Sequence, residues 1–112
     1  PTHAHNRLIT SVVLREADCL IVADAHLERL ARATGPTAFL LPAGGCGEWD
    51  RPGADLHNPD GLSAFMGRLL ADCPGNVELH HLDAHINDDA FAEAALAVLD
   101  GWIAAGQVAN PA

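Results

Sequence analysis

Lysine is absent from this 112-residue chain, and the six basic side chains, all arginine, face fifteen acids, for a formal charge of -9. Such a field repels a nucleic-acid backbone, whose binding needs clustered positive charge, so DNA and RNA are not expected partners. The missing lysine also excludes a P-loop, which requires Gly-Lys-Ser/Thr at a helix start. Any nucleotide bound here must be held by backbone amides, by arginine or by another chain. Tyrosine is absent too, and aromatic residues make up only 4% of a chain that is 49% apolar. That balance, dominated by Ala, Leu and Val, suits helices packed on a small sheet. No apolar run approaches the ~18 residues of a membrane span. The start, Pro-Thr-His-Ala-His-Asn, lacks the zones of a signal peptide. A cytoplasmic protein without a membrane partner is expected. The three cysteines, Cys19, Cys46 and Cys73, form no Cys-x-x-Cys pair and read as reduced thiols. Cys46 lies in a glycine-rich stretch where a nucleophile could sit, with nothing local to activate it.

What is present organises itself around residues 42–58, Pro-Ala-Gly-Gly-Cys-Gly-Glu-Trp-Asp-Arg-Pro-Gly-Ala-Asp-Leu-His-Asn. Connections in compact α/β units usually run about 2 to 6 residues, so a loop of this length is either functional or disordered, and its glycines and polar side chains favour function. An apolar run at Thr37–Leu41 leads into it and reads as a strand covered on both faces. Asn58-Pro59-Asp60 follows it as a helix start: a capping side chain, proline at the first position and an acid in the first turn. Before the loop, Leu8–Leu14 is a β-branched run. Arg15–Thr34 has the spacing of an amphipathic helix ended by Gly35-Pro36. After the loop, Leu62, Phe65, Met66, Leu69 and Leu70 form a core-facing stripe. Val77–Leu82 is a further strand, and a last helix carries Phe91, Ala94, Ala95, Val98, Leu99, Trp102 and Ile103 before a frayed tail at 107–112.

One α/β domain over 1–112 is therefore expected, a parallel sheet with flanking helices in a Rossmann-like three-layer arrangement. Three strands are few for such a sheet, and a strand covered on both faces should not lie at an edge. The chain is thus expected to be the C-terminal part of a larger two-subdomain protein, or to dock against another chain as a homo- or hetero-oligomer.

Ligands bind beyond the carboxyl ends of strands in open α/β sheets. Two loops satisfy that here, the glycine loop and Asp83-Ala84-His85-Ile86-Asn87. If their strands are neighbours, Gly44, Gly45 and Asp50 share an edge with Asp83, His85 and Asn87. His81, Asp83 and His85 alternate, so an extended backbone would point them one way as a weak metal set. Asp83 could instead orient His85 as a general base, although no Gly-x-Ser-x-Gly elbow is present.

Several stretches stand in the order and spacing of a known family: His5-Asn6, Ala33-Thr34-Gly35-Pro36 with Leu40-Leu41-Pro42, Pro52-Gly53 with His57-Asn58-Pro59, and above all Leu82-Asp83-Ala84-His85-Ile86-Asn87-Asp88. In these the chain resembles the Tm-one-like ATP-binding domain family, named after a plant protein conferring tobamovirus resistance. The resemblance implies the C-terminal portion of a longer protein with two α/β subdomains, a tendency to dimerise and a cleft for ATP or a related nucleotide with Mg. It departs at Arg7, where the family has proline. It departs again at Ala43-Gly44-Gly45, where the family has Leu-Arg-Gly and an arginine to meet an anion. The site expected on both grounds comprises His5, Asn6, Gly44, Gly45, Asp50, His57, Asp83, His85 and Asn87, with the glycine amides and His85 as donors. An enzyme of hydrolase or lyase type in the same cleft, and a purely structural assembly piece, are the alternatives.

Overall fold

The run Leu8–Leu14, expected as a strand or an extended lead-in, turns back on the chain's first residues through Thr10–Val12. In the computed structural model, which describes residues 1–109, β1 (Thr2–Ala4) and β2 (Thr10–Val12) pair antiparallel as a separate hairpin. The cause is local. The Asn6 side chain accepts the amides of Leu8 (2.8 Å) and Ile9 (3.0 Å), and the His5 amide donates to Ile9 O at 2.9 Å. Asn closes such turns readily because its carbonyl reaches its own backbone two and three residues on.

The remaining elements follow the expected order: α1 (Glu16–Ala31), β3 (Ala38–Pro42), α2 (Pro59–Asp72), β4 (Glu78–Leu82) and α3 (Asp89–Ala104). At the α2 start Asn58 Oδ1 accepts the Gly61 amide at 3.1 Å with Pro59 at the first turn, as its sequence predicts. β3 and β4 pair in parallel, with Ala38 opposite Glu78 and Pro42 opposite Leu82. This α/β architecture is a two-stranded parallel sheet with three main helices.

Alternation along the strands assigns the two faces. Phe39, Leu41 and Leu79 pack with Ala23 and Leu27 of α1 and Leu62, Phe65, Met66 and Leu69 of α2. The other face, with Glu78 and His80, lies beside Ala94, Val98 and Trp102 of α3. The core is small: Ala23, Leu41, Met66 and Leu69 form its buried cluster, and no residue of α3 is fully buried. His26 is exposed, and its ring stacks on Phe39 with ring centres 5.9 Å apart. Gln107 still bonds the helix end through Trp102 O at 2.9 Å, and the last residues of the expected tail lie outside the described chain. Among the described residues no helix is long and apolar enough to cross a membrane.

Candidate functional site

The parallel register brings the loops after β3 and β4 together, as the sequence implies. Their contact is closer than a ligand site would allow. The Gly44 amide donates to Ala84 O (2.9 Å), the Gly45 amide to Pro42 O (3.1 Å), and the Ile86 amide to Gly45 O (3.0 Å). A Cβ on Gly44 would stand 2.7 Å from His85 N, and one on Gly45 would stand 2.7 Å from Asp50 O and 2.9 Å from the His85 ring. Gly45 also has φ +125, a conformation that side chains strongly disfavour. These glycines let two backbones touch. Their amides are spent within the protein, which corrects the expectation that they face a ligand.

His85 is the centre of that contact and is only 3% exposed. Its Nε2 lies 2.9 Å from Gly47 O, and its Nδ1 accepts the Asn87 amide at 3.1 Å. A carbonyl can only accept, so the proton sits on Nε2 and the lone pair on Nδ1. Both ring nitrogens are occupied. Asp83 is exposed and makes none of these bonds, so the expected Asp83–His85 acid–base pair does not form. Nor does the expected metal set: His81 and Asp83 are exposed while His85 is buried. Among the described residues no three His, Cys, Asp or Glu are grouped to hold a metal ion.

A polar clip that the sequence reading missed locks the loops from outside. Asp88 accepts the His85 amide at 2.8 Å and lies 3.4 Å from the Arg51 guanidinium, which also binds Glu48 at 3.0 Å. Asn87 completes the ring by donating to Glu48 at 2.9 Å. The amide of His85, with Arg51 adding to it, holds the Asp88 carboxyl below its ordinary pKa. Asn87 and Arg51 do the same for Glu48. The thiol of Cys46 moves the other way, raised by burial and by Asp50, which disfavours a nucleophilic thiolate there.

His5 and Asn6 stand elsewhere, in the hairpin. Trp49 receives that hairpin, with its ring 4.5 Å from His3 and 5.0 Å, edge-on, from His5, while His3 Nδ1 meets Asp55 Oδ2 at 2.6 Å. Asn6 is consumed by the turn.

The concave feature at the carboxyl end of the sheet is a cleft of about 570 Å³ between the glycine loop, α2 and β4. Leu62, Met66 and Leu70 form its apolar wall, Ala43 and Gly44 its end, and His57, Ser63 and His81 its polar points. No arginine lines it. Of the candidate residues named from the sequence, Gly44, His57 and His81 border it. Asp50 acts at one remove: its Oδ1 accepts the Asn58 amide at 2.8 Å and stands 3.4 Å from His57 Nδ1. The α2 stripe predicts core, and Met66 and Leu69 are core. Leu70, expected on that stripe, is instead 38% exposed and flanks the cleft with Ser63 and Gly67, a flank indistinguishable from solvent in the sequence.

Comparison with known proteins bears on the same stretch. Residues 1–103 match the model of the C-terminal domain of an uncharacterised protein family, UPF0261. The chain belongs to the UPF0261 family. It is 45% identical over 108 residues to a UPF0261 protein of Brucella melitensis and 44% identical to one of Brucella suis, covering 96% of this chain in each case. The chain spans only 26% of the length of each relative. The UPF0261 match bears out the expected place in the C-terminal portion of a larger protein. Neither the family description nor the relatives' names carry the Tm-one-like, ATP-binding part of the resemblance.

Proposed function

We propose that this UPF0261 domain contributes one wall of a small-molecule cleft that the rest of a longer protein completes. The observation carrying the reading is the 570 Å³ cleft at the carboxyl ends of two parallel strands, apolar along α2 and marked by a few polar groups. Its chemistry selects the kind of group it takes. With no cation in the lining, it suits a flat, largely uncharged moiety, with His57, Ser63 and His81 available for hydrogen bonds. In the nucleotide reading, which follows the Tm-one-like resemblance, that moiety is the base and ribose of ATP or a related nucleotide. The phosphates and Mg would then be met by groups outside this chain, and the setting would be cytoplasmic.

A second reading, an enzyme, is favoured by one contact. Asp50 is fixed by the Asn58 amide and stands 3.4 Å from His57, which borders the cleft. A carboxylate behind a cleft histidine is the arrangement of an oriented acid or base. The residue to test for catalysis is then His57, replacing His85.

Gly67 provides the experiment. A Cβ there meets nothing within 4 Å, so Gly67→Leu fills the cleft without disturbing the core and should favour the helix. Adenosine, AMP and ATP would be titrated calorimetrically into full-length protein. The reading expects binding that falls at least about tenfold, or about 1.4 kcal/mol, in G67L. Absence of binding by all three, or binding indifferent to G67L, would overturn the nucleotide reading.

A further inference from the structure

The free edge of β3 is a second feature that needs a partner. β3 is Ala38-Phe39-Leu40-Leu41-Pro42, with no charged residue, and its only strand neighbour among the described residues is β4. Every second amide and carbonyl of such a strand points away from its neighbour. Natural edge strands are protected by charge, and β4, with Glu78, His80 and His81, is so protected. β3 is not.

Both helical layers over this sheet leave apolar side chains exposed. On one face, Asp24 of α1 pairs with Arg68 of α2 at 3.4 Å, and His26 lies on Phe39 of β3. Ile21, Val22 and Ala25 line a shallow groove with His26 and Arg29 on the outer side of α1, where Val22 also borders Leu62 and Phe65 of α2. Ile21 is 67% and Val22 38% exposed. On the other face, the flank of α3 carrying Ala94, Ala97 and Gly101 borders Glu78 and His80 of β4. The opposite flank, with Leu96 at 59% and Leu99 at 41% exposure, therefore overhangs the β3 side. Exposed apolar side chains of α1 and α3 thus accompany an unpaired strand edge.

Right-handed crossover connections explain the arrangement. α1 lies on the same face as α2, and such a helix normally follows a strand placed on the outer side of β3. The residues before α1 are taken up in the hairpin, so that strand must come from elsewhere. We propose that the open β3 edge receives an extended segment from the part of the UPF0261 polypeptide outside this region. That part makes up most of each Brucella relative, since the matched region is 26% of its length. Main-chain pairing to β3 would supply the register and the four aliphatic side chains the apolar contact. The assignment does not depend on what the cleft binds.

Amide hydrogen exchange tests it, comparing the isolated 112-residue chain with a full-length protein carrying this region. The outward amides of Ala38–Leu41 are expected to exchange at least about a hundredfold more slowly in the full-length protein. Val22→Glu with Leu99→Glu, at positions already exposed, should abolish that protection while β4 and α2 keep theirs. Ala97→Glu, on the β4 flank of α3, should leave it intact. Equal β3 exchange in both proteins, or protection that survives the double substitution but not Ala97→Glu, would overturn the proposal. So would a homodimer of the isolated chain protecting the same amides, which would assign the edge to a second copy.

Discussion

Gly44 and Gly45 are the positions where a single methyl group tests the loop contact. Gly44→Ala drives a Cβ into the backbone of His85, and Gly45→Ala adds an unfavourable φ to a clash with Asp50 O. Each substitution is expected to cost at least about 2 kcal/mol, lowering the urea midpoint by roughly 1 to 2 M. An unchanged midpoint would show that the loops do not touch as described. His85→Ala should be equally costly, about 2 to 4 kcal/mol, because it removes two hydrogen bonds and leaves a void. If His85 were a base in an open site, stability would hardly move. Its importance is legible in the sequence, since it sits after a strand in the most distinctive motif. Its role is not, because the Gly47 carbonyl that holds Nε2 lies 38 residues away.

Elements and their junctions respond to pH through the clip of Glu48, Arg51 and Asp88. Both carboxyls titrate below their ordinary values of 4.5 and 3.8 when folded. Their contribution is therefore complete above the unfolded values and is lost as pH falls through the lower folded ones. Trp49 fluorescence, read in a Trp102→Phe background, should report loosening of the loops at a pH below about 4. Asp88→Asn should weaken the loops at neutral pH and flatten this acid limb; an unaltered acid limb would remove Asp88 from the account. The hairpin is a second such junction. Trp49→Ala removes the ring that meets His3 and His5, and exchange of the Thr10–Val12 amides should rise at least about tenfold. The alternation of strand and helix could be read from periodicity from Thr37 onward. The hairpin could not, because a β-branched run does not say which strand it will join, and the decision fell to the Asn6 turn.

At the scale of the whole molecule, the Cα radius of gyration is 15.9 Å, against about 13 Å for a compact domain of this size. A four-residue buried cluster, an α3 without a buried residue and an open β3 edge accompany that extended shape. The isolated chain should accordingly melt well below a full-length protein, by about 10 °C or more, if an added strand completes the sheet. Equal melting temperatures would argue against that docking. The sequence by itself determined the helix and strand types from Thr37 onward and the Asn58 cap, because these depend on local periodicity and short-range bonding. It also carried the sign that more sheet is needed. Only the tertiary structure decided which residues face the cleft and which hold the loops shut. Those roles depend on partners tens of residues apart, such as Gly44 with Ala84, Arg51 with Asp88 and Trp49 with His3, whose meeting is set by packing and not by neighbouring sequence.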